Sequence, residues 1–232
     1  MSSIIEKNNN KMYTWNEGWG EKFTKKIGVP RRVETLILST LNPKSPGKWS
    51  VYIPGFHEYP PTGEYAFPEE IYFEVPANNK ITFDFTGWGH NTRVVSEHML
   101  QFLIEQGLTE NYEIARAKII NRRGELTKTE KNYFVLWFHK FDDDLLEFNG
   151  KIEVTPEALP YLTSLTFELY PNMQIKNGVD KKIFVVKHRT FNEAFVFTEE
   201  VRDLIVEKKF IGANIYAMDE LWQAYVDKEP KY

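Results

Sequence analysis

The run Tyr133-Phe134-Val135-Leu136-Trp137-Phe138 is apolar or aromatic at every position. A strand of that composition needs cover on both faces, which places it at the centre of a sheet enclosed by other layers. A charged turn, Asn121 to Lys131, separates it from a second strand-like run, Glu113 to Ile120. The two are expected to be neighbours. Leu36-Ile37-Leu38, Trp49 to Ile53 and Ile71 to Val75 read as further short strands. Ile81, Phe83 and Phe85 alternate with Thr82, Asp84 and Thr86, the period of a half-buried strand. Pro54, Pro60, Pro61 and Pro68 keep the loop between these runs out of helix and limit strand pairing. Leu162 to Tyr170, Lys181 to Lys187 and Ile211 to Tyr216 add strands, while the polar first thirty residues are expected to form an irregular lead-in.

Helical spacing is rarer. Ser96 is a good N-cap, Glu97 suits the positive end of the helix dipole, and Met99, Leu100, Leu103 and Ile104 share a face before Gly107 stops the helix. Thr198 opens a second helix with Val201, Leu204 and Ile205 as its buried stripe, and Met218 to Val226 has the look of a short third one. The fold class is therefore α+β, with a mixed, mostly antiparallel sheet and two or three short helices. The segments opening at Ser96 and Thr198 echo each other 102 residues apart. Each has an apolar strand end, a hydroxyl cap, an early glutamate, an apolar helical face and a large apolar residue beyond it, Leu108 and Phe210. A two-fold internal repeat would produce this, and so would any two strand-to-helix junctions.

Composition removes several kinds of chemistry. With no cysteine, thiolate nucleophiles, disulfides and cysteine-based metal sites are excluded together. Neither a phosphate-binding loop nor a nucleophile elbow occurs, and Gly18-Trp19-Gly20 and Gly87-Trp88-Gly89 read as tight turns that present a tryptophan. No two of the five histidines stand three or four residues apart, so no helical metal pair can form from them. His139 with Asp142, Asp143 and Asp144 is the one cluster of metal-ligating types, and a metal-assisted hydrolase centred there is the enzymatic alternative. A net charge of −4 with only dibasic runs argues against nucleic acid, and no stretch is long and apolar enough to span a bilayer. The N-terminus lacks the apolar core of a secretory signal, so the cytoplasm is the expected location. Aromatic residues, at 15%, exceed what a core alone needs, which suits a protein-binding surface and also a glycan- or peptide-binding module.

From Thr92 to Tyr216 the chain resembles the bacterial immunity proteins of polymorphic toxin systems, in the group of immunity families eleven and forty-three. The resemblance rests on Val94-Val95-Ser96-Glu97 opening a helix that ends in Leu103-Ile104-Glu105, and on the run from Asn132 through Phe138 into Asp142-Asp143-Asp144. It is completed by Phe195-Val196-Phe197-Thr198-Glu199-Glu200-Val201 followed by Leu204-Ile205 and Phe210-Ile211-Gly212-Ala213-Asn214. It implies a cytoplasmic antidote that neutralises a protein toxin encoded nearby by binding it, with no catalytic residues, no cofactor and no metal. On this basis residues 92–232 are expected to form the immunity-like region and 1–91 a strand- and loop-rich N-terminal region, or both to form one compact domain. Asp142, Asp143 and Asp144 are the most concentrated negative patch for a basic partner. Trp88 and His90, expected in a loop before the first helix, and Trp19 are candidate anchors.

Overall fold

A computed structural model describes residues 11–16, 37–38, 48–49, 52–53, 56–57, 60–74, 81–88, 91–108, 112–121, 123–154, 167–188, 190–191, 194–212 and 214–221. Its strands are β1 (Met12–Asn16), β2 (Ile37–Leu38), β3 (Glu70–Glu74), β4 (Phe85–Trp88), β5 (Thr92–Ser96), β6 (Tyr112–Ile120) and β7 (Tyr133–Phe138). They continue as β8 (Leu146–Glu147), β9 (Ile152–Val154), β10 (Phe167–Leu169), β11 (Gln174–Ile175), β12 (Ile183–Phe184), β13 (Phe195–Thr198) and β14 (Asn214–Ala217). Helix α1 is Glu97–Glu105 and α2 is Glu199–Glu207.

Two sheets carry the fold. The larger has six strands in the order β2-β3-β6-β7-β5-β4, and the smaller has four in the order β12-β13-β1-β14. Every pair is antiparallel except β3 with β6, where Ile71 lies opposite Ala117 in parallel register. As its composition requires, β7 is flanked on both edges, by β6 and β5. Val135 and Trp137 face one apolar cluster, Leu136 and Phe138 another, and all four are buried.

Four strands of each sheet follow one plan. In β4-β5-β7-β6 and in β12-β13-β1-β14, the second strand runs into a helix, which returns the chain to the fourth strand, parallel to the second. The third strand is antiparallel to both its neighbours. In the first unit that strand, β7, follows in the chain, whereas in the second it is β1, supplied from the N-terminus. Helix α1 packs on β5 and β7, and α2 on the corresponding β13 and β1. The two echoed junctions thus lie on separate sheets.

The sheets face each other across the central core. Trp15 of β1 meets Phe85 of β4 with ring centroids 4.8 Å apart, and Phe195 of β13 meets Phe85 at 5.2 Å and Phe138 of β7 at 6.0 Å. Met99, Phe102 and Leu103 of α1 and Val201 and Ile205 of α2 close the same cluster. The opposite face of the large sheet is covered by Trp49, Tyr52, Ile81 and Phe83, and that of the small sheet by Leu146, Leu169, Met173 and Phe191.

Several local expectations are corrected. Met12–Asn16 is a central strand, not a lead-in, and Met12, Tyr13, Thr14 and Trp15 are all buried. Trp49 and Tyr52 form a turn, the Tyr52 amide donating to the Trp49 carbonyl at 3.1 Å, so no strand runs through them. The alternating segment 81–84 is not a strand either. The Asp84 and Phe85 amides both donate to the Ile211 carbonyl, which ties this segment to the loop after α2 and delays the strand to Phe85. Gly87 and Trp88 are strand residues opposite Arg93 and Thr92, so β5 lies between Trp88 and α1. Met218 to Glu220 is a turn, Leu221 begins a helix, and the remainder of the expected third helix, from 222, lies outside the described residues.

Candidate interaction surfaces

The segment after β7 leaves the core in stages. His139 is still buried, with Nε2 3.4 Å from Glu113 Oε1 and its ring against Trp137. Burial lowers its pKa, and the neighbouring Lys140 adds to the effect. Asp142 is also buried. Its Oδ1 accepts from Lys181 Nζ at 2.6 Å and its Oδ2 from the Val185 amide at 2.8 Å, so its carboxylate joins this turn to the chain around β12. Asp143 Oδ2 accepts from the Lys187 amide at 2.9 Å. Asp144 alone of the three is exposed, and its carbonyl takes a hydrogen bond from Lys176. The sequence brought these aspartates together as one negative patch, whereas the structure divides them: two hold chain segments in place and one faces solvent. Among the described residues no three His, Asp or Glu side chains converge as metal ligands would. His139 and Asp142 point to different partners.

Trp19 and His90 lie outside the described residues. Trp88 closes strand β4, where its backbone pairs with Thr92.

A charged cluster that spacing alone does not reveal sits where β10 meets the loop before β13. Glu168 Oε2 accepts from the Tyr170 hydroxyl at 3.0 Å and lies 3.1 Å from His188 Nε2, while Oε1 binds Lys151 across the β9–β10 pair. Lys151, then His188, then Tyr170 hold the Glu168 carboxyl down to about 2. The Thr190 hydroxyl donates to the Glu168 carbonyl at 2.7 Å. These residues come from three separate segments, joined by the pairing of β9 with β10 and by the return of the loop before β13 to Glu168.

Apolar exposure marks a different surface. Phe56 is 86% exposed and Ile53 52%. They belong to a turn in which the Phe56 amide donates to the Ile53 carbonyl at 3.1 Å and His57 Nδ1 accepts from the Ile53 amide at 2.8 Å. The turn is anchored: His57 stacks near Tyr65 at 4.3 Å, and Tyr52 packs edge-on against buried Trp137 at 5.4 Å. A Phe held out by such a base loses little entropy when a partner covers it, which is the economy of a binding anchor.

The large sheet also has an uncovered flank. Helix α1 lies over β5 and β7, and on the same face β6 carries exposed side chains. Ile114 is 45% exposed there, Arg116 is exposed, and Glu70 and Tyr72 stand opposite Arg116 and Lys118. The Tyr72 hydroxyl and Lys118 together lower the pKa of Glu70.

Among curated proteins, none matches the chain. A family model does, that of Immunity protein 43, over residues 22–229. It reaches well beyond the segment from Thr92 to Tyr216 that carries the resemblance in sequence, and takes in most of the N-terminal region as well. The two-sheet α+β chain described here therefore belongs to the Immunity protein 43 family.

Proposed function

We propose that the protein neutralises a cognate bacterial toxin by binding it directly in the cytoplasm, without catalysis, cofactor or metal. The observation that carries this is the match to Immunity protein 43 over residues 22–229. The surface supports a binding role: Phe56 and Ile53 form an anchored apolar tip, and Asp144 is a solvent-facing carboxylate that would speed encounter with a basic partner. Asp142 and Asp143 contribute by shaping the turn that presents Asp144. Trp19, Trp88 and His90 stay in the proposed contact set. Residues 1–91 and 92–232 act in this reading as one cooperative unit.

The experiment is co-expression with the protein encoded by the adjacent upstream gene, scored by rescue of growth and then by copurification. Rescue with a stable complex is the expected outcome. Rescue by a protein that forms no complex would point to enzymatic inactivation instead. A neighbour that is toxic yet neither bound nor neutralised would end the proposal.

A further inference from the structure

Around Arg116 and Lys118 this flank of the large sheet opens into a groove of about 420 Å³ between the start of α1 and the β6–β7 hairpin. Its lining includes Glu97, Arg116, Lys118, Leu126, Asn132 and Phe134. Three of these are ionised, and their partners differ. Glu97 accepts from Asn132 Nδ2 at 3.0 Å, and Lys118 Nζ lies 3.3 Å from Glu70. The Arg116 side chain makes no hydrogen bond or ion pair among the described residues, and it adds only to the positive field at Glu70. Phe134, half-buried, lies opposite Arg116 in the β6–β7 register, and Leu126, 69% exposed, lines the same groove from its place opposite Ile120.

Resting on the reading that the protein binds another protein, we propose that this groove receives an acidic side chain of the partner with an apolar residue beside it, and that Arg116 is its anchor. A guanidinium offers a planar fork that fits a carboxylate with two parallel hydrogen bonds. Seated on a rigid strand, the fork is already placed for such a contact. Leu126 and Phe134 supply the apolar wall. Charge also selects the class of ligand. Arg116 and Lys118 lie in the groove with Glu97, and the hairpin of residues 121–131 carries four basic residues against two acidic ones, so the balance of charge around Arg116 is positive and complements an acidic group. The apolar side chains of Leu126 and Phe134 in the same lining favour a protein carboxylate over a phosphate backbone.

The test uses the full chain and the protein encoded by the adjacent upstream gene, with affinity and melting temperature measured for wild type, Arg116→Ala, Arg116→Glu, Arg116→Lys and Leu126→Ser. Loss of affinity of about 10- to 100-fold is expected for Arg116→Ala, more for Arg116→Glu, and part of it should return with Arg116→Lys. The melting temperature should stay put, because Arg116 is exposed. Arg116→Ala and Arg116→Glu binding within twofold of a wild type that does bind would overturn the groove and leave the immunity reading standing. A wild type that does not bind its neighbour overturns both. Competition for the groove by a single-stranded oligonucleotide, lost in Arg116→Ala, would overturn the carboxylate assignment in favour of phosphate.

Discussion

The hydroxyl of Ser96 donates to Asp84 Oδ1 at 2.6 Å while it accepts the Met99 amide at 3.2 Å. One side chain therefore caps α1 and holds a buried carboxylate. Asp84 is itself a junction: Lys131 Nζ reaches Oδ1 at 2.8 Å and the Ile211 amide reaches Oδ2 at 2.9 Å. Strand β4, helix α1, the β6–β7 hairpin and the loop after α2 all meet at this carboxylate. Ser96→Ala removes the cap and one bond to a buried charge, and should cost about 2–3 kcal/mol in urea unfolding. Ser96→Thr, which keeps the hydroxyl, should recover most of it. Equal losses for both would mean that packing and not the hydroxyl sets the effect.

Both helices end in the same backbone device. At α1 the Leu108 amide donates to Leu103 at 2.9 Å and Gly107 to Ile104 at 3.0 Å, while at α2 Phe210 donates to Ile205 at 3.4 Å and Lys209 to Val206 at 3.1 Å. The residue in the left-handed conformation is Gly107 in one case and Lys209 in the other, with φ of 90° and 56°. A side chain there costs energy that glycine avoids. Lys209→Gly should stabilise the protein by roughly 0.5–1 kcal/mol, and Gly107→Ala should destabilise it by about 1 kcal/mol. Thermal midpoints moving in the same direction for both would contradict this.

Gly212 is needed for space. A Cβ there would lie 2.8 Å from the Phe85 carbonyl oxygen and 2.9 Å from Trp15 Cζ2. Neither can retreat, since Trp15 packs between the sheets and Phe85 is in a strand. Gly212→Ala should cost about 1–3 kcal/mol by overpacking, measured by chemical denaturation. A neutral variant would show that the loop after α2 shifts freely.

His139 makes stability depend on pH. Burial lowers its pKa below the ordinary 6.5, so the unfolded chain takes up the proton first as pH falls. The contribution is complete above the unfolded value and is lost progressively below it, down to the lower folded value. Unfolding midpoints should fall as the pH drops through the ordinary histidine value and below it, and His139→Gln should flatten that slope. Lys140 pushes in the same direction as burial, and Glu113 Oε1 faces the ring at 3.4 Å. A slope unchanged in the variant would assign the dependence elsewhere.

Phe56 should matter to the partner and not to the fold. Phe56→Ser removes a ring that is 86% exposed, so stability should change by less than about 0.5 kcal/mol. Affinity for the neutralised toxin should drop at least about tenfold if the tip is an anchor. Undiminished binding would remove the tip from the interface.

What could be read from the sequence was governed by local physics. The burial of β7 on both faces follows from its six side chains. The Ser96 cap and the Gly107 stop follow from hydrogen bonds that reach only a few residues along the chain. The echo between Ser96 and Thr198 has a local basis too, since Leu108 and Phe210 occupy the same position after each helix. It is not complete, because Thr198 makes no side-chain cap bond. Non-local pairing decided the rest. Met12 to Asn16 becomes a central strand only because β13 and β14, about two hundred residues away in the chain, leave a slot between them. Arg93, a residue type rarely buried, is fully enclosed because the Ala194 carbonyl accepts from its guanidinium at 2.9 Å and the ring of Phe138 lies 4.9 Å away. Asp142 turns inward for the same kind of reason, as Lys181 and the Val185 amide come to it from a distant segment. A side chain's own chemistry says what partner it needs, and only the closed fold says whether that partner comes from the chain itself, from water or from another protein.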